Sequence, residues 1–182
     1  METYPFQYYH LYNRTNNDEL LFKEKKNYLY FLGKYRRYLA EFVDTHAYCL
    51  MPTHFHFLIY IKSEDIANFK RNLGILLSSY TKAINKKYGR HGSLFQQHTK
   101  MKIIYDESYL LTVMNYIHQN PVRHGLVERL EDWEFSSYPD LAGMRKGSLP
   151  KRDIIESRFG SVDEFKAFSE QLMKGIRGEY WV

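Results

Sequence analysis

The sequence predicts an α+β fold of the ferredoxin-like type (β-α-β-β-α-β), an antiparallel sheet with helices on one face and an additional C-terminal helix. The main observation is periodicity: short aromatic or β-branched runs alternate with longer segments whose apolar residues recur every three or four positions. The order of these segments gives the split βαβ arrangement, in which the first and third strands are central. A chain of 182 residues with 44% apolar residues can also bury a core of its own.

The first half of the chain supplies three of the strands and one helix. Residues 8–14 (YYHLYNR) are aromatic-rich and lead into polar residues, which predicts a strand and then a loop. Between residues 23 and 42 the apolar positions step by four and three, as on an amphipathic helix. Residues 43–51 and 54–61 predict a pair of antiparallel strands. Pro52 separates them because it cannot donate a hydrogen bond to the sheet.

The second half supplies the remaining strand and two helices. The apolar spacing of residues 65–87 predicts a helix, which the two glycines of YGRHGS end. Residues 99–105 (TKMKIIY) predict the fourth strand. Residues 106–120 predict the additional helix, with acidic residues in its first turn. Pro121 is expected to close that helix, because the residue before a proline disfavours helical backbone angles.

Two domains are expected along the chain. Residues 1–141 form the domain that carries the sheet and the additional helix, and residues 142–182 form a helical C-terminal extension. Within the extension, residues 151–159 and 163–174 predict two short helices.

Composition points to a cytoplasmic protein that does not enter a membrane. Cys49 is the single cysteine, which excludes a disulfide framework and a multi-cysteine zinc site. No window of 18 apolar residues exists that could cross a bilayer. The N-terminal residues lack the basic and apolar regions of a signal peptide.

Positive charge is concentrated in the middle of the chain. Residues 62–102 contain nine Lys or Arg and two acidic residues, a net charge of +7 against +5 for the whole chain. Such a segment is typical of a surface that binds phosphates, and 17 tyrosines offer rings on which unpaired bases can stack. The alternative is a lysine-rich helix face that contacts only water.

Two histidines share one face of the third strand. Side chains alternate across a strand, so His54 and His56 point away from the face of Phe55, Phe57 and Ile59. The apolar face is expected to be the core, and the histidines lie on the other. Two imidazoles at positions i and i+2 can share a divalent metal ion. The alternative is a pair of ordinary strand histidines.

Two residues of the additional helix form a second candidate pair. Tyr116 and Asn120 are four residues apart and therefore lie on one helix face. Tyr116 is either a ring at the edge of the core or a nucleophile, which would need nearby positive charge or a metal-bound phosphate. The amide oxygen of Asn120 could complete the metal site of the histidines and leave positions open for substrate.

Four motifs occur in an order and at spacings that resemble the REP-associated tyrosine transposases, relatives of the single-tyrosine HUH transposases of small insertion sequences. They are YHLYNR, HAYCLMPTHFHFLI, GSLFQ and YIHQNPVRHGLV. The resemblance covers about residues 8–141. The chain departs from the common pattern at Thr53, where asparagine is frequent, and at His124, where a small residue is frequent.

The resemblance implies a set of roles. His54, His56 and Asn120 would hold Mg²⁺ or Mn²⁺, and Tyr116 on the additional helix would be the nucleophile. The reaction implied is cleavage and strand transfer of single-stranded DNA, with a hairpin and through a 5′-phosphotyrosine. The candidate DNA contacts are Tyr8, Tyr12, Arg14, Lys70, Arg71, Lys82, Lys86, Lys87, Arg90, Lys100, Lys102 and Arg123.

Other interpretations stay open at this point. A non-catalytic module that binds hairpin DNA or RNA would have the same fold, and fold alone does not decide function. A structural or metal-storage protein is a third option, which leaves the basic segment unexplained. A homodimer is also open, in which Tyr116 would serve the metal site of its own chain or of its partner.

Overall fold

The computed structural model describes residues 2–171. Within them, four strands and six α-helices follow one another along the chain. They are β1 Tyr8–Arg14, α1 Lys25–Leu39, β2 Val43–Leu50, β3 His54–Ile61, α2 Ile66–Tyr88, β4 Lys100–Ile104, α3 Glu107–Arg123, α4 Tyr138–Leu141, α5 Asp153–Arg158 and α6 Val162–Glu170. Two 3₁₀ turns, Asn16–Asp18 and Leu130–Asp132, lie between them.

The sheet confirms the predicted central strands. Its four strands run β2-β3-β1-β4 and every neighbouring pair is antiparallel, so β1 and β3 are the central strands. The register places Tyr12 opposite His56 and Arg14 opposite His54. Because opposite residues in an antiparallel pair point to the same side, these four side chains share one face.

Both faces of this sheet are covered. On one side, Phe55, Phe57 and Ile59 of β3 pack with α1 and α2 in the first core. On the other side, Leu58 packs with α3 and with residues of α5 and α6 in a second core. The face that carries His54 and His56 was expected to lie outside the core, but α3 packs on it and makes it part of the second core.

The prediction that Pro121 closes the additional helix is wrong, because this helix, α3, continues to Arg123. Proline removes one backbone donor, the one that would pair with Ile117, and such a residue inside a helix usually costs about 3 kcal/mol. The turn around it is nevertheless well bonded. The carbonyl of Asn120 accepts from His124 N at 3.0 Å, and that of Pro121 accepts from Leu126 N at 2.9 Å.

The C-terminal helices are part of the second core. Ile154 and Ile155 of α5 and Phe165 of α6 are buried against the residues of α3. Both helices fall within their predicted ranges except that α6 begins one residue earlier, and predicted residues 172–174 lie outside the described ones. The domain boundary at residue 141 stays a prediction. No helix among residues 2–171 has the length and apolar character needed to cross a bilayer.

Candidate active site

Three buried imidazoles lie together on the two central strands. His54 and His56 come from β3, and His10 comes from β1 beside them. The Nε2 of His10 lies 2.9 Å from the Nδ1 of His56, and the two rings stack with centroids 5.1 Å apart. The rings of His54 and His56 are also 5.1 Å apart, nearly perpendicular. His10 and His56 are completely buried.

Burial keeps these imidazoles neutral near pH 7. The pKa of His10 is lowered to about 3 and that of His54 to about 4, in each case first by burial and then by a nearby group, Lys102 for His10 and His124 for His54. The pKa of His56 lies well below its ordinary value, first through burial and then through the neighbouring histidines. A neutral imidazole has one nitrogen with a free lone pair, which is the form that binds a metal ion.

Tyr116 of α3 faces the histidines of its own chain. Its ring centroid lies 5.5 Å from that of His56 and 6.0 Å from that of His10. Burial raises the pKa of the Tyr116 phenol, while a hydrogen bond from the Asn120 side chain and the charge of Arg123 lower it. The Arg123 guanidinium lies 5.8 Å from the ring centroid. The surroundings of the phenol therefore combine desolvation with positive charge.

The donor set fits a divalent metal ion. Asn120 is fully buried, and its Nδ2 donates to the carbonyl of Tyr116 at 3.0 Å. Its Oδ1 and the Nε2 atoms of His54 and His56 are buried and have no hydrogen-bond partner among the described residues. Leaving three such polar atoms without partners is costly unless a ligand occupies them. No group of three or more His, Cys, Asp or Glu in residues 2–171 is arranged to hold a metal, so a site here would depend on the amide oxygen of Asn120.

Sequence reasoning missed two histidines of this site. His124 lies four residues after Asn120, so Tyr116, Asn120 and His124 follow one row of α3, a spacing that the sequence contains. The Nδ1 of His124 donates to the Asn120 carbonyl at 2.9 Å, and the His124 ring centroid is 5.6 Å from that of His54. His10 stands in the YHLYNR motif, but its contact with His56 depends on the register between β1 and β3.

The sheet divides the predicted DNA contacts into two groups. Opposite residues in the register share a face, so Lys100 and Lys102 of β4 lie on the face of Tyr12 and His10. Arg14 of β1 lies on the same face, and Arg123 of α3 lies over the ring of Tyr116. The remaining basic residues belong to α2, which packs on the opposite face of the sheet, and to the turn after it. They are Lys70, Arg71, Lys82, Lys86, Lys87 and Arg90.

The two tyrosines and some of the basic residues have local contacts. Tyr12 is 6% exposed, with its ring centroid 4.6 Å from that of His10, so it forms a wall of the site. Tyr8 is half-buried against Tyr60, with centroids 4.9 Å apart. The ion pairs are Arg14 with Asp18, Lys87 with Glu24 and Arg90 with Glu19.

A Haemophilus influenzae protein that carries the name REP-associated tyrosine transposase is 29% identical over 104 residues, which cover 52% of this chain and 58% of that protein. A solved structure of a REP-associated tyrosine transposase bound to a REP hairpin superposes with a TM-score of 0.62. The resemblance to REP-associated tyrosine transposases is confirmed.

The solved transposase shows the same fold as this chain at 17% sequence identity, over 84% of this chain and 96% of its own length. The alignment with the Haemophilus transposase is shorter, since this chain spans 58% of the length of that relative. No family model matches the chain. The residues that the transposase motifs single out, His54, His56, Tyr116 and Asn120, lie at one place in the fold.

Proposed function

We propose that this protein is a REP-associated tyrosine transposase, a metal-dependent endonuclease and strand transferase that acts on single-stranded DNA. One observation carries the proposal. Tyr116 lies beside His56, and three buried polar atoms of His54, His56 and Asn120 have no hydrogen-bond partner among the described residues. Buried polar atoms without partners also occur at Asn115 and Gln119, and what marks this group is that two imidazoles and an amide stand with a tyrosine.

His54 and His56, through Nε2, and Asn120, through Oδ1, would hold the metal ion, Mg²⁺ or Mn²⁺. When bound, the ion would polarise a phosphate and offset the charge that develops on it. The protein supplies the rigid placement. Both histidines belong to a central strand, and Asn120 is fixed by its bond to the carbonyl of Tyr116. Sites built on strands and helices hold their geometry more closely than sites built on loops.

Tyr116 is the proposed nucleophile. Its phenolic oxygen forms a bond to phosphorus while the bond from phosphorus to the 3′ oxygen breaks. The phenol loses one proton and the departing 3′ oxygen gains one, which leaves a 5′-phosphotyrosine and a free 3′-OH. Arg123 and the amide of Asn120 favour the charged phenolate. A second 3′-OH can reverse the step on another DNA end, which gives strand transfer without an added energy source.

The proposed substrate is single-stranded DNA with a hairpin. The structure that resembles this fold is described as bound to a REP hairpin, which supports a substrate of the same kind. Arg14, Lys100 and Lys102 lie on the face of the sheet that carries the histidines, and Arg123 lies over Tyr116, so these residues would contact the phosphates at the cleavage position. Contacts from α2 would have to reach a part of the DNA on the opposite side of the sheet.

The test uses a labelled pool of hairpin-forming single-stranded oligonucleotides with randomised flanks, incubated with the protein and Mg²⁺ or Mn²⁺. We expect a protein–DNA adduct that survives denaturing electrophoresis and maps to Tyr116 by mass spectrometry. The Y116F variant should form none. Y105F is the matched control, because Tyr105 is 79% exposed and lies outside the site.

Three outcomes separate the candidate functions. An adduct that persists in Y116F and disappears in Y105F would remove Tyr116 as the nucleophile. Retention of hairpins by the wild type without any adduct would favour a non-catalytic hairpin-binding module. Neither retention nor an adduct would contradict both.

A further inference from the structure

The hydrogen bond between His10 and His56 limits the tautomers that the two rings can adopt. The two facing nitrogens, His10 Nε2 and His56 Nδ1, are 2.9 Å apart, so one carries a proton and the other accepts it. Both rings are completely buried. A hydrogen bond between two such neutral rings forces each into one tautomer.

Only one of the two arrangements leaves His56 ready to bind a cation. When His56 Nδ1 carries the proton and donates to His10 Nε2, the Nε2 of His56 has a free lone pair. In the opposite arrangement, His10 donates and the proton of His56 lies on Nε2. A hydrogen bond to the second nitrogen is the usual way in which proteins orient a metal-binding histidine.

The demand of a cation site favours the first arrangement. Burial of a proton does not separate the two, since His10 Nδ1, which carries it in the first, and His56 Nε2, which carries it in the second, are both buried. Only the first arrangement leaves a lone pair on His56 Nε2 in addition to the acceptor oxygen of Asn120, which is the set that a cation needs. His54 and Tyr116 pack against the His56 side chain through ring contacts.

We propose that His10 is a positioning residue that holds His56 in the tautomer with the proton on Nδ1, so that Nε2 is available to a divalent cation. The inference rests on the proposed function for the identity of the ligand, while the tautomer itself can be observed without any metal. His10 acts through His56 and needs no contact with the DNA.

The first measurement is the tautomer of His56. Nitrogen-15 NMR of the metal-free protein distinguishes protonated from unprotonated ring nitrogens, and H56A assigns the signals. We expect His56 to carry its proton on Nδ1 in the wild type. In H10F, which keeps an aromatic ring and removes the acceptor, a mixture of tautomers is expected. H10Q offers a carbonyl oxygen as acceptor and should restore the wild-type state.

The second measurement is Mn²⁺ affinity by calorimetry without DNA. H10F should bind Mn²⁺ about 10- to 100-fold more weakly than the wild type, and H10Q should recover part of that loss. H118Q is the matched control, since His118 is also a fully buried histidine of this protein but bonds to Ser137 outside the site. Circular dichroism of each variant separates a changed site from a changed fold.

A wild-type His56 with its proton on Nε2 would overturn the inference, as would an H10F variant with unchanged tautomer and Mn²⁺ affinity. Failure of the transposase proposal looks different. Absence of any Tyr116 adduct, together with a His56 tautomer and Mn²⁺ affinity that still depend on His10, would reject the enzymatic function and keep the role of His10.

Discussion

His118 shows what burial alone does to an imidazole of α3. It lies between Tyr116 and Asn120 in the sequence but points away from the histidine cluster, toward Tyr138 and Phe165. Its Nε2 is 2.9 Å from the hydroxyl of Ser137. Burial lowers the pKa of His118 to about 3 from an ordinary value of 6.5. The unfolded chain therefore binds this proton more readily than the folded protein at mildly acidic pH.

Acid should consequently destabilise the protein through His118. The stabilising contribution is fully present above pH 6.5 and is lost as the pH falls toward 3. On this basis the wild type should lose about 2 kcal/mol more than H118Q between pH 7 and pH 5. Urea unfolding of both proteins at several pH values, without divalent metal, measures the difference. Parallel pH curves for the two proteins would contradict the prediction.

At the scale of single residues, the sequence predicts which side chains share a face but not which ones touch. The alternation along β3 places His54 and His56 together without further information. The partner of His56 is different, because His10 meets it only through the pairing of β1 with β3. That register depends on contacts between segments about 45 positions apart, which local periodicity does not contain.

Strands and helices are predicted best where one pattern decides them. The bounds of β1 and β3 agree with the prediction because their runs end at polar residues or at the Met51-Pro52-Thr53 break. The packing of α3 was harder to predict from the sequence. Asn115 and Gln119 suggest a face toward water, but their side chains donate to Phe168 and Ser169 carbonyls of α6, at 3.2 and 2.9 Å. A helix that buries its amides against another helix has no simple amphipathic pattern.

The basic residues of β4 and of α2 lie on opposite sides of the sheet, so their contributions to DNA binding can be tested separately. Lys100 and Lys102 lie on β4 beside the histidine cluster, whereas Lys70 and Arg71 are exposed on α2 across the sheet. We expect K100A/K102A to weaken hairpin-DNA binding about tenfold. The dependence of log affinity on log salt should fall by about 0.7 for each lost contact with single-stranded DNA.

K70A/R71A removes the same amount of charge and is the control for net charge. Fluorescence anisotropy with a labelled hairpin at several salt concentrations compares the two double variants. Equal losses in both would mean that position relative to the site is irrelevant. A larger loss of affinity in K70A/R71A would mean that the DNA contacts the α2 side of the sheet.

Across the whole molecule, one sheet separates two hydrophobic cores that hold different helices. The first core holds α1 and α2 against the strands, and the second holds α3, and with it Tyr116 and Asn120, against the histidines. Helices α5 and α6 support α3 from the far side through Ile154, Ile155 and Phe165. The distance between nucleophile and histidines thus depends on residues far along the chain from the sheet.

This arrangement predicts different effects for two equally buried phenylalanines. Phe165 of the second core and Phe69 of the first are both completely buried, so F165A and F69A should each lower the free energy of unfolding by about 3–5 kcal/mol. F165A leaves a cavity behind α3 and should also reduce adduct formation, because small displacements of a nucleophile slow attack strongly. F69A leaves α3 in place and should keep its adduct yield.

Urea unfolding measures the stabilities, and adduct yield is compared well below each melting temperature, so that only folded protein contributes. Equal adduct yields in the two variants would show that the second core stabilises the fold without setting the position of Tyr116. A loss confined to F165A would mean that the C-terminal helices belong to the catalytic unit, since the sheet and its histidines keep their first core in both proteins.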